Sequence, residues 1–204
     1  MTTLILTRHG LVPGIHPERF RGRVEVALSP AGERQADALA ARIATAFRPV
    51  AVYTSSLGRC IATGAAIAAA CGIDAHARPE LSDIDYGAWQ WKTHEEAEAE
   101  DGETYALWRS SPHLVRFPGG ESLQDVLVRA SDLLRYVLAH HAGDSVVLVG
   151  HDSVNRVLLC HLLGLPLSAY WRFKQDPCTM NVIEWTGTEA CLVRCNDTAH
   201  LQPS

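Results

Sequence analysis

The residues that most constrain this chain are Val146, Val147, Leu148 and Val149, an unbroken apolar run that ends at Gly150-His151. Such a run has no polar face. A strand built from it must be covered on both sides, as central parallel strands are. Short apolar segments also occur at residues 4–7 and 50–54, with weaker ones at 73–77, 181–185 and 192–194. Helical patterns lie between them. Ser29-Pro30 combines an N-cap residue with proline at the first helical position. The helix it opens runs to about Phe47, with Ala36, Leu39, Ala40 and Ile43 on one face. Residues 57–71 form an alanine-rich helix, and Val154 to Leu163 another. Ser122 opens a long helix whose apolar stripe is Leu123, Val126, Leu127, Ala130, Leu133, Leu134, Val137 and Leu138. Strands alternating with helices predict an α/β fold: a three-layer α/β/α arrangement around a mostly parallel central sheet. Residues 79–117 interrupt the alternation. Short helices at 95–100 and 104–109 make this segment a lid-like helical piece, expected over the C-terminal ends of the strands.

With 204 residues and no repeat, low-complexity tract or linker, the expectation is one domain spanning 1–204. Hydrophobic residues at 47% supply a core, and the formal charge of −5 argues against general affinity for nucleic acid or anionic membranes. The N-terminal residues lack the basic and apolar regions of a signal peptide, and no apolar run approaches the ~18 residues of a membrane span. A cytoplasmic location and reduced cysteines are therefore expected. Of the six cysteines only Cys191 and Cys195 are close in sequence. Their spacing is open to zinc, but their place in an expected strand favours ordinary thiols.

In such sheets ligands bind beyond the carboxyl ends of the strands. Three expected strands end in related polar residues. The first runs into Arg8-His9-Gly10. The second runs into Thr54-Ser55-Ser56 and a helix with Arg59 in its first turn. The fourth runs into Gly150-His151-Asp152. Two histidines and two arginines would thus meet at one edge, beside helix N-termini whose free N–H groups favour anions. Arginine adds forked donors that match phosphate oxygens. Each residue alone has an ordinary structural explanation; the conjunction points to phosphate.

These residues resemble the signature of the histidine phosphatase superfamily, which includes the cofactor-dependent phosphoglycerate mutases. Arg8-His9-Gly10 is followed, in family order, by Arg19-Phe20-Arg21-Gly22, Leu28-Ser29-Pro30-Ala31-Gly32 and Ser55-Ser56-Leu57-Gly58-Arg59. Next come the block from Leu81 to Trp89, Pro118-Gly119-Gly120-Glu121-Ser122 and Gly150-His151-Asp152. The similarity is greatest to the small broad-specificity and α-ribazole-type phosphatases.

The resemblance implies a phosphomonoester hydrolase that works through a phosphohistidine on a small-molecule ester. His9 would be the nucleophile, with Arg8, Arg59 and His151 holding the phosphoryl oxygens. Asp83 stands where the family usually has a glutamate acid. Asp152 is the alternative acid, since the acid-phosphatase branch carries an aspartate directly after its second histidine. Arg21, Tyr86 and Glu121 are candidates for the substrate pocket. Glu121-Ser122 has a competing explanation, because Ser122 and Asp125 form a capping-box pattern. Trp89, Trp91, Trp108, Tyr86 and Tyr105 are expected mainly to pack the segment's own core. Val12 and Ile15 replace polar residues found in many members. The resemblance implies no metal and no cofactor. A homodimer is left open. A phosphoglycerate mutase is the alternative activity, and a non-catalytic phosphate-binding protein a more distant one. Mutases tend to have an arginine pair where Trp108-Arg109-Ser110 has one arginine, and His94 lies near their expected lysine.

Overall fold

The computed structural model describes residues 1–13 and 17–202; Ile15 lies outside them. Six strands form one sheet: β1 Thr2–Arg8, β2 Ala51–Thr54, β3 Ala75–Ala77, β4 Ser145–Gly150, β5 Met180–Trp185 and β6 Ala190–Asp197. Their order is β3-β2-β4-β1-β5-β6. The first four are mutually parallel, β5 runs antiparallel to β1, and β6 antiparallel to β5. The three-layer, mostly parallel α/β expectation therefore holds.

Alternate strand residues serve the two helical layers, as a pleated strand requires. Ile5, Val52, Val147 and Val149 pack with Ala36, Leu39 and Ile43 of α1 (Pro30–Ala46) and Ile67 of α2 (Gly58–Cys71). Leu4, Leu6, Val146 and Leu148 pack with Val126, Leu133 and Val137 of the long helix Leu123–His140 and with Val157 and Leu158 of the helix Asp152–Leu162. Val146 to Val149 are all essentially inaccessible, which is why that run carries no polar residue.

Chain order and sheet order differ in a way that builds the site. The chain passes from β1 through α1 to β2 and through α2 to β3. It then returns on the opposite face and inserts β4 between β2 and β1. This reversal places the C-terminal ends of β2, β4 and β1 side by side, where open α/β sheets bind ligands.

Local signals held. Ser29 Oγ accepts from Gly32 N at 3.1 Å, with Pro30 first in the helix. Ser122 and Asp125 complete a reciprocal capping box. Between β3 and the long helix lie two short helices, α3 His94–Glu100 and α4 Gly102–Ser110. In the same numbering the long helix is α5 and the helix after β4 is α6. Thr93 starts α3 with its own capping box, and Asp101 caps α4. Trp89, Trp108 and Phe117 are buried here, with ring centroids 5.1–5.3 Å apart across Phe117. Phe20 joins them, 5.1 Å from Trp89. The aromatic residues thus chiefly pack this segment, although Trp91 stays 40% exposed. All six cysteines are free, and Cys191 and Cys195 are exposed on β6. Among the described residues no three His, Cys, Asp or Glu side chains group as a metal site, and no helix is long and apolar enough to cross a membrane.

Candidate active site

His9 follows β1 directly, and Gly10 fixes its ring. A Cβ on Gly10 would lie 2.4 Å from the carbonyl oxygen of Gly32, so only glycine lets β1 meet the first turn of α1 this closely. Gly10 N donates to Thr63 Oγ1 at 3.2 Å. Gly10 O accepts from His9 Nδ1 at 2.7 Å. That bond puts the proton on Nδ1 and leaves Nε2 with its lone pair, in a residue that lines the cavity. Burial, then the facing His151, then Arg59 and Arg8 hold His9 well below the ordinary histidine range. The ring is neutral at pH 7.

His151 caps α6 from the end of β4, the strand paired with β1. Its ring centroid is 5.2 Å from that of His9, at 62°. Nε2 lies 2.8 Å from Ser55 Oγ, and Nδ1 lies 3.6 Å from Asp83 Oδ2. The carboxylate favours a proton on Nδ1, and the Ser55 hydroxyl then donates to Nε2. Burial, with Arg59 and Arg8 next, also holds this histidine well below its ordinary range.

Arg59 is fully buried in the first turn of α2. Its Nη atoms donate to Val24 O at 2.8 Å and Gly22 O at 2.7 Å, and Nη2 is 3.4 Å from Asp83 Oδ2. Arg8 Nη1 donates to Gln175 O. The Nε atoms of Arg8 and Arg59 are buried without a hydrogen-bond partner. Leaving such donors unpaired costs about 1–3 kcal/mol each, so both guanidiniums have donor capacity for an anion.

Asp83 enters from the 79–117 segment. Its Oδ1 accepts from Ser153 Oγ at 2.6 Å and from Ile84 N at 3.0 Å, which turns Oδ2 toward His151 and Arg59. Asp152, the alternative acid, also lines the cavity. Its Oδ1 is engaged by Arg156 Nε at 2.7 Å, one helical turn on. Arg21 and Tyr86 line the same cavity of about 250 Å³.

Glu121 does not. It accepts from Arg129 at 3.0 Å through both oxygens, from Arg23 at 3.0 Å, and from Asp85 N at 3.0 Å. Arg129 also donates to Glu80 O at 2.7 Å and Asp83 O at 3.2 Å. Glu121 is thus a brace for the loop that carries Asp83, removed from the substrate pocket because its carboxylate is saturated by arginines and backbone. The sequence reading did not single out Ser153, Arg129, Arg156 or Trp171. Ser153 and Trp171 meet partners 70 and 63 residues away, which no local pattern reveals, whereas the Arg156–Asp152 pair is one helical turn apart.

Anion donors, a neutral histidine and a carboxylate at the switch point of a parallel sheet define a phosphate-handling α/β enzyme. The family model of the histidine phosphatase superfamily (branch 1) matches residues 4–198, and the chain belongs to that family. It is 33% identical over 201 residues to phosphoserine phosphatase 1 of Hydrogenobacter thermophilus, covering 98% of this chain and 95% of that one. It is 30% identical over 207 residues to a probable phosphoglycerate mutase, GpmB, of Cronobacter sakazakii, covering 98% and 95%. The solved structure of Bacillus stearothermophilus YhfR superposes with a TM-score of 0.92 at 28% identity, covering 99% of this chain and all of that one. The chain is a phosphoester hydrolase of the histidine-phosphatase type.

Proposed function

We propose that this protein hydrolyses a small phosphomonoester in two in-line steps at His9. Nε2 of His9 attacks phosphorus as the ester P–O bond breaks, and Asp83 gives a proton to the departing oxygen. Water then attacks the phosphohistidine and yields its proton to Asp83. The P–N bond breaks, releasing inorganic phosphate and restoring His9. Arg8, Arg59 and His151 bind the equatorial oxygens, whose charge is greatest in the transition state. The observation that carries this reading is the meeting of a neutral, cavity-lining His9, whose Nδ1 is engaged by Gly10 O, with two arginines bearing unpaired buried donors. Asp83 is preferred to Asp152 as the acid. Its Oδ2 sits within 3.6 Å of both His151 and Arg59, whereas Asp152 is tied back along its own helix.

Similarity to a phosphoserine phosphatase over nearly the whole chain supports a three-carbon or comparably small leaving group. A cavity of about 250 Å³ accommodates one. The mutase is the second reading, motivated by the GpmB relative and by Arg109 and His94 at the cavity. The test measures inorganic phosphate released from a panel of phosphomonoesters, with and without EDTA, beside a phosphoglycerate mutase assay. Chelator-insensitive phosphate release exceeding mutase turnover is expected. Mutase turnover without phosphate release would overturn the reading.

A further inference from the structure

Behind the end of β1 lies the segment 174–179, which leads into β5 and takes no part in the reaction at His9. It holds Arg8 twice. Cys178 N donates to Arg8 O at 3.1 Å and lies 3.3 Å from His9 O. Gln175 O accepts from Arg8 Nη1. Cys178 has a φ of 52°, a left-handed conformation that a residue with a Cβ rarely adopts unless its surroundings impose it. His200 Nε2 donates to its carbonyl at 3.0 Å.

The segment is shaped by a buried side-chain amide, that of Gln175. Nε2 donates to Lys174 O at 2.7 Å and to Asn181 Oδ1 at 3.1 Å. Oε1 accepts from Asn181 Nδ2 at 2.9 Å and from Asn155 Nδ2 at 3.3 Å. All four hydrogen-bonding positions of the amide are filled. Reversing it would set Oε1 against Lys174 O and Nε2 against two donors. Asn181 also donates to Leu6 O of β1 at 3.1 Å, and Asn155 stands one helical turn after His151 on α6. Apolar side chains of the same shape would fill this space with nearly equal stability. What the amides add is direction. The long side chain of Arg8 must be aimed before substrate arrives if its donors are to serve the transition state without reorganising. With Nη1 on Gln175 O, the buried and unpaired Nε is left for an anion.

We propose that Gln175 is a positioning residue for Arg8: its side chain fixes the segment so that its own carbonyl aims the guanidinium at the phosphoryl group. This rests on the phosphatase reading above, in which Arg8 binds the phosphoryl oxygens. Gln175 acts through Arg8 and does not itself line the catalytic cavity.

A double-mutant cycle tests this. It measures kcat/KM for p-nitrophenyl phosphate in wild type, Gln175→Met, Arg8→Ala and the double variant. Methionine keeps the length of glutamine and removes its hydrogen bonds. With Arg8 present, Gln175→Met is expected to lower kcat/KM by about tenfold to a hundredfold, the worth of one hydrogen bond to a charged group. Once Arg8 is alanine, the same change is expected to cost almost nothing. A residue that merely supports the fold lowers activity equally in both backgrounds. Equal losses therefore overturn the proposal, as does an unchanged Gln175→Met, and both leave the phosphatase reading standing. Wild-type activity in Arg8→Ala would overturn the phosphate-binding role of Arg8 and the proposal with it. Circular dichroism checks folding. Should Gln175→Met fail to fold, Asn196→Gly takes its place in the cycle and the same outcomes decide. Asn196 makes two 2.7 Å hydrogen bonds with Asp176, next to Gln175, and glycine suits its φ of 48°.

Discussion

His9 and His151 reach the site from neighbouring parallel strands, whereas Asp83, Tyr86, Trp108 and Arg109 reach it from a stretch that contributes no strand. The strand-end half is held by the sheet itself. The positions of His9 and His151 follow from the register that pairs Arg8 with Gly150. The overhanging half is held by side chains. Glu121 and Arg129 clamp the Asp83 loop, Ser153 orients the Asp83 carboxylate, and aromatic rings fill the space behind. The difference suggests a division of labour. In the proposed reaction, attack on phosphorus would fall to the strand-end half and handling of the leaving group to the half that loops and side chains build.

Leaving-group protonation gives the largest expected separation between the halves. p-Nitrophenolate leaves readily without a proton, while an alkoxide does not. Asp83→Asn should therefore slow an alkyl phosphate by up to ~10²–10⁴-fold and p-nitrophenyl phosphate far less. Asp152→Asn should show no such selectivity. Measuring kcat for both substrates in both variants checks this. Selective loss in Asp152→Asn alone would move the acid to α6 and dissolve the proposed division.

A smaller effect sharpens the strand-end half. Burial and neighbouring cations keep His9 and His151 below their ordinary range in the folded chain. Below pH ~6.5 the unfolded chain therefore binds protons that the folded chain does not. Stability is fully present at neutral pH and is lost as pH falls through that value. The loss is at most about 1.4 kcal/mol per pH unit for each such group. His94 and His200 are shifted the same way, chiefly by burial. Thermal unfolding between pH 7.5 and 5 should show a falling Tm, with a shallower fall in His9→Asn. An unchanged slope would mean that His9 is not held neutral by its surroundings.

The two halves also differ in how far the sequence discloses them. The apolar run ending at Val149 forces a doubly covered strand, and Gly10 and Gly150 mark where strands give way to chemistry. Arg8, His9, Arg59 and His151 are legible for that reason. Ser29, Ser122 and Asp125 are legible because caps are local. Strand and helix ends were less so: β6 runs Ala190–Asp197 rather than 192–194, and α6 starts at Asp152 rather than Val154. In sequence, a carboxylate before a helix reads the same whether it faces a ligand or an arginine, and Glu121 faces arginines. Its actual partner, Arg129, lies eight residues on, and the backbone it supports lies 36 residues back. Ser153 is joined to Asp83 across 70 residues, and Trp171 to Trp108 across 63. Contacts of that kind come from tertiary packing alone.

The central claim is that the phosphoryl group passes through His9. It is tested most directly by acid- or denaturant-free rapid quenching into alkali with a ³²P-labelled phosphomonoester, since phosphohistidine survives base. Peptide mapping then locates the label. The account predicts transient, stoichiometric label on His9 in the wild type and none in folded His9→Ala. Turnover without a labelled enzyme, or label on any other residue, would contradict it.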